Sequence, residues 1–142
     1  MNTTSEISKA QNGLRNYGII MIGLLVIQYT LGMLANMFVQ FPDSADPGQL
    51  WEFARTQLTT GAHILVGTAL VVGAIGFVIL AVRQKIQPWI ISSTFGLIAI
   101  LAAFFGGATF VSTQADAYSL VMALATILAF LSYGWGLYAT HK

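Results

Sequence analysis

Residues 58–82 read LTTGAHILVGTALVVGAIGFVILAV. No Asp, Glu, Lys or Arg interrupts this stretch, and it exceeds the roughly 20 residues a helix needs to cross about 30 Å of hydrocarbon. It is apolar on every side, so it lacks the alternation of a membrane β-strand. Three further runs share these properties, at 17–39, 88–111 and 117–139. The expected fold is all-α: a four-helix transmembrane bundle, up-down-up-down, forming a single transmembrane domain over residues 1–142.

Composition agrees. Apolar residues make up 56% of the chain and charged residues 8%, against about 45–50% and 25% in soluble domains. The lipid bilayer is therefore the first expected partner. A formal net charge of +1 argues against a nucleic-acid partner, which needs a basic patch. Cysteine is absent, which removes disulfides, thiolate metal sites and thiol catalysis. The first run lacks a small-x-small cleavage pattern and ends in Phe38-Val39-Gln40-Phe41-Pro42, so it is read as an anchor rather than a removable signal.

The cations set an orientation. Lys9 and Arg15 precede the first run, Arg83 and Lys85 lie between the second and third, and Lys142 ends the chain, whereas the other two loops hold only Arg55. By the positive-inside rule both termini are cytoplasmic, in a bacterial inner (plasma) membrane. Asp43, Asp46, Glu52 and Asp116 then fall outside. Tyr17, Trp89, Trp135 and Tyr138 lie near the cytoplasmic ends, where interfacial aromatics anchor a helix. His141 reads as a solvated tail residue.

The loops carry helix punctuation. In the outer loop, residues 40–57, Asp46-Pro47-Gly48-Gln49 offers an N-cap, a proline at the first helical position and a Gln three residues past the cap. A helix is expected there, lying on the membrane as a partial lid and continuing into the second span, with Leu50, Ala54 and Leu58 on one face. Pro88 suits the start of the third span. Thr113-Gln114-Ala115-Asp116 resembles a capping box for the fourth.

Small residues mark packing faces. The third span carries Ser92, Gly96, Ala99, Ala103 and Gly107; the second carries Gly67, Ala69, Gly73 and Gly76. The first has a more polar stripe, Gln28, Gly32, Asn36 and Gln40, expected to face protein or a cavity because an unpaired amide in hydrocarbon costs several kcal/mol.

His63 is the one histidine inside a span. At about 1.5 Å per residue it lies roughly 8 Å below the outer boundary. Asn36 is expected at similar depth on the first span, with Gly106, Gly107 and Thr109 on the third and Ser119 and Met122 on the fourth. A neutral imidazole in that position serves either as a structural hydrogen-bonding group, to Asn36, Thr60 or a backbone carbonyl, or as an axial ligand of haem iron, for which a bundle core supplies the apolar slot. Met122 offers a second ligand at comparable depth. Hydrolytic chemistry would require Ser119, His63 and Asp116 to converge as nucleophile, base and orienting group.

Gln28-x-x-x-Gly32 in the first span, a proline-containing outer loop and His63 shortly inside the second together resemble one half of the haem A synthase family, whose members repeat a four-helix bundle with haem-ligating histidines near the outer surface. The resemblance covers about the first half of the chain and implies haem b bound by His63. The chain departs from that family in having no histidine in the fourth span, a single bundle and no cysteine pair in the outer loop. Asn36, His63 and Gly107-Ala108-Thr109-Phe110 also resemble a class of small four-span bacterial membrane proteins, which implies a fold and no activity. Three function classes follow from the residues: a haem-binding or electron-transfer subunit, with His63, Met122 and Asn36 at the cofactor; a non-catalytic accessory subunit of a larger membrane complex or homo-oligomer; and a small-molecule or proton pathway.

Overall fold

The computed structural model describes residues 3–42 and 45–140. The expectations placed on Asp43, His141 and Lys142 lie outside the described residues. Among the described residues five helices follow in order: α1 (Thr3–Phe38), α2 (Pro47–Thr56), α3 (Leu58–Gln84), α4 (Gln87–Thr113) and α5 (Asp116–Ala139). Four of them are long and apolar enough to cross a membrane. Their outward faces carry large apolar side chains such as Leu65, Phe95 and Leu131, a surface suited to lipid rather than water. The chain is an all-α bundle of four membrane spans with a short fifth helix across one end.

Packing follows a ring. α1 packs against α3 and α5, and α4 packs against the same two, so α1 and α4 are diagonal, as are α3 and α5. Short reversals enforce this order. Between α3 and α4, Lys85 takes a left-handed conformation (φ 56°) and Pro88 occupies the first turn of α4, where a missing amide hydrogen is harmless. Between α4 and α5, Gln114 is left-handed (φ 53°), and its side-chain amide donates to the carbonyls of Phe110 and Val111 at 3.3 and 3.0 Å. The capping box expected from Thr113 to Asp116 does not form. Ala115 is the N-cap of α5, without a side-chain cap, because Gln114 is spent closing α4 and Asp116 is already helical.

The half of the bundle nearer the termini is solid. Phe77 of α3 stacks on Tyr17 of α1 and Tyr133 of α5 at centroid distances of 4.7 and 5.6 Å, and meets Trp89 of α4 at 5.4 Å. Phe77, Trp89 and Tyr133 are fully buried. Glycines make room for the rings: a Cβ at Gly96 would lie 2.5 Å from Tyr133 Cζ, and one at Gly136 would lie 2.6 Å from Trp89 Cζ3. Trp89 is thus a core residue and not the interfacial anchor expected, while Tyr17 is half-buried against the same rings and donates to the Gly73 carbonyl at 2.9 Å. Trp135 and Tyr138 do face outward.

α1 starts fourteen residues earlier than its apolar run, at Thr3 rather than residue 17. Its added turns are tied to the bundle by Leu14, which is fully buried, and by Gln11, whose side-chain amide donates to the Thr140 carbonyl at 3.2 Å. A helix whose next turn is already packed extends at little cost, one hydrogen bond per residue.

Candidate functional site: a hollow at the end opposite the termini

Above Leu25, Leu70, Ile100 and Ala129 the solid core gives way to a cavity of about 680 Å³. That volume falls in the range of roughly 300–1,000 Å³ that takes small molecules and cofactors. Every span contributes wall: Gln28 and Gly32 from α1, His63 from α3, Gly107 from α4, and Met122 and Thr126 from α5.

α2 roofs the hollow. Asp46 caps it with the reciprocal hydrogen bonds of a capping box, its carboxylate accepting from Gln49 N at 2.9 Å and its own N–H donating to Gln49 Oε1 at 3.1 Å. Leu50 and Ala54 are buried with Val111 of α4, and Trp51 Nε1 donates to Ser112 Oγ at 3.0 Å. Leu58, expected on the same face, is instead 87% exposed. The helix does not run on into α3, because Gln57 is extended (φ −75°, ψ 125°) and the break turns α3 about its axis relative to α2.

His63 has both ring nitrogens engaged by one residue. Nδ1 lies 3.1 Å from the Gln28 carbonyl oxygen and Nε2 lies 3.1 Å from Gln28 Nε2. A carbonyl only accepts, so Nδ1 carries the proton, and Nε2 accepts from the side-chain amide. Gln28 Oε1 and Thr60 Oγ1 are buried with no hydrogen-bond partner, and both residues belong to the cavity wall.

The partner expected from sequence was Asn36 or Thr60, or a backbone carbonyl; the carbonyl is correct, and the Gln28 side chain was not foreseen. Register explains the difference. Across α1 and α3, Gly32 meets His63 and Gly67 meets Gln28, so continuing the antiparallel pairing brings Asn36 opposite Thr59, one turn above the imidazole. Asn36 lies on the cavity rim, where its side chain is exposed. Met122 also lines the cavity but leans on α4, its sulfur 3.0 Å from where a Gly107 Cβ would stand. Gln40 lies beyond the end of α1 and is exposed. Thr109 bonds its own helix at the Phe105 carbonyl. Asp116 is exposed at the start of α5, and His63 gives its nitrogens to Gln28 rather than to Ser119, so no nucleophile–base relay is assembled.

Among the described residues no three His, Cys, Asp or Glu side chains gather as a metal site. The donor set is therefore an imidazole, with a thioether on the diagonal helix. No family model matches the chain, and neither a curated protein nor a solved structure resembles it significantly.

Proposed function

We propose that the hollow half of the bundle binds haem b, which His63 would hold through its iron, and that the protein is a haem-binding or electron-transfer subunit whose roofed end faces the extracytoplasmic side. One observation carries the reading. The Nδ1–H of His63 is donated to a backbone carbonyl in the wall of a cofactor-sized cavity, which leaves the lone pair on Nε2. A ligating histidine is ordinarily held in that way, its second nitrogen fixing ring orientation and tautomer. The residues fit the group with one adjustment: the Gln28 amide must turn away from Nε2. Its oxygen is unpartnered, so a single hydrogen bond resists the turn, and losing it leaves a buried amide donor unpaired at a cost of about 1–3 kcal/mol.

Met122, on the helix diagonal to His63, would supply the thioether of a His/Met pair, and Asn36 stands at the rim. When bound, the iron supplies one-electron chemistry. The chain's own part is to anchor the imidazole, hold apolar walls around the ring and exclude water through α2 and the aromatic plug. The resemblance to half of a haem A synthase points the same way, and the absence of a fourth-span histidine is met by Met122.

A second reading draws on the same hydrogen bonds. With both nitrogens bonded to Gln28, His63 ties α1 to α3 and needs no guest, as in an accessory subunit of a larger complex or homo-oligomer. A proton pathway is disfavoured by the Phe77, Trp89 and Tyr133 plug below the cavity. Absorption spectra of detergent-purified protein from haem-replete cells separate the readings. Haem binding gives a Soret band that His63→Ala abolishes and Met122→Leu shifts in the reduced form; a colourless wild type, destabilised by His63→Ala and not by His63→Gln, establishes the structural tie.

A further inference from the structure

Several residues of the cavity wall also belong to the outer surface of the bundle, and three of them form a row. Tyr29, Met33 and Asn36, spaced i, i+4, i+7 along α1, all line the hollow, yet Tyr29 is 48% and Met33 45% exposed. Phe104 of α4 is also a wall residue and 39% exposed, but among the described residues α1 alone presents such side chains on consecutive turns, which marks a seam beside it as parted.

The parted seam is the one between α1 and α5. Gln11 precedes Tyr29 by eighteen residues, about five full turns, so the two share a helix face. Gln11 donates to the Thr140 carbonyl beyond the end of α5, which fixes the direction of that face. Its opposite flank, marked by Gln28 and Gly32, is held against α3 through His63. Across the gap stand Ser119, Met122, Ala123 and Thr126 of α5, all cavity-lining and half-buried. The same seam is shut toward the termini, where Gln11 bonds Thr140 and Met21, Leu25 and Ala129 are buried.

The water-facing end is closed in a different way. Trp51 is bonded to Ser112, Leu50 and Ala54 are buried beneath α2, and Phe41 meets Phe110 edge-on. The open side therefore faces acyl chains. Lining it are a phenol, two thioethers and small residues, which lets a flat apolar body pass without breaking any hydrogen bond between helices.

We propose that the α1–α5 seam is a lateral portal, through which a flat, apolar ring dissolved in the leaflet around the roofed end reaches His63. That the ring is haem b rests on the reading above; the route does not. The chain has no cysteine, so introduced thiols are unique. Thr126→Cys places one on the cavity wall, Ala123→Cys provides a second wall position, and Leu128→Cys, at a side chain 57% exposed on the lipid face, serves as reference. In liposomes each variant is treated either with N-(1-pyrenyl)maleimide dissolved in the bilayer or with a cationic, membrane-impermeant methanethiosulfonate in the water.

A lateral portal gives wall thiols that react with the pyrenyl reagent within about tenfold of the Leu128→Cys rate, and with the cationic reagent far more slowly, since thiol reactivity follows access. Wall thiols more than about a hundredfold slower than the reference would show a closed seam and overturn the proposal. Faster modification by the cation than by the pyrenyl reagent would overturn it in favour of a route from water under α2. The reactivities are read without haem, so a colourless protein, which removes the haem reading, leaves this result standing.

Discussion

Gly96 and Gly136 show how single residues decide the solid half. A methyl at Gly96 would stand 2.5 Å from Tyr133 Cζ and 2.8 Å from its oxygen; one at Gly136 would stand 2.5 Å from Ser92 Oγ and 2.6 Å from Trp89. Those partners are fully buried and have nowhere to retreat. Gly96→Ala and Gly136→Ala are each expected to destabilise by about 1–3 kcal/mol, the usual cost of overpacking, as read by unfolding in mixed micelles. Gly134→Ala, where nothing lies within 4 Å, is the matched control and is expected to be neutral. The ridge of Ser92, Gly96 and Ala99 was legible from sequence because small residues at fourfold spacing have one main use in a membrane. What lay against it was not. Trp89 near a helix end reads as an interfacial anchor until a glycine on another helix is seen to open a pit for it. His63 was likewise legible as the residue to follow, while its Gln28 partner depended on an antiparallel register that no local pattern encodes.

At the scale of elements, legibility tracked how local the cause was. The capping box at Asp46 and Gln49 joins residues three apart and formed as expected. The spans of α3, α4 and α5 fell within two residues of their apolar runs. The failures had causes elsewhere: α1 extends to Thr3 because its added turns dock on α5, and Asp116 does not cap because Gln114 has closed α4. The break at Gln57 had no strong local signal. α2 holds the roof, so its cap bears on the hollow. Asp46→Ala removes a side-chain acceptor at the N-terminus of α2 and is expected to cost the helix about 1 kcal/mol. Hydrogen exchange of the amides from Gly48 to Glu52 should quicken accordingly, about five-fold, while Asp46→Asn retains most of the protection. Unchanged exchange in Asp46→Ala would mean that the buried Leu50 and Ala54 hold α2 without its cap.

The molecule as a whole divides its packing unequally. One half is filled by rings set into glycine pits, and the other leaves about 680 Å³ between the same four helices. Helix–helix association in lipid depends on close packing and hydrogen bonds rather than on hydrophobic burial, so a hollow of this size forgoes stability the bundle could otherwise have. If the hollow exists for a guest, filling it with side chains should raise stability and end binding. Ala103 and Ala123, on α4 and α5, both line the cavity and are half-buried. Ala103→Leu and Ala123→Leu are each expected to stabilise the guest-free protein by about 0.5–2 kcal/mol, as cavity-filling changes commonly do. Wild type should gain further stability on adding haem, by mass action on the native state, and the double variant should gain none. Destabilisation of the double variant by more than about 1 kcal/mol, the overpacking response, would indicate instead that the spans close on themselves in the bilayer. The solid half would be untouched by either result, because the two alanines lie on the far side of Leu70 and Ile100 from the aromatic plug. Comparing the two unfolding profiles thus tests whether the bundle is a rigid base carrying a receptive end.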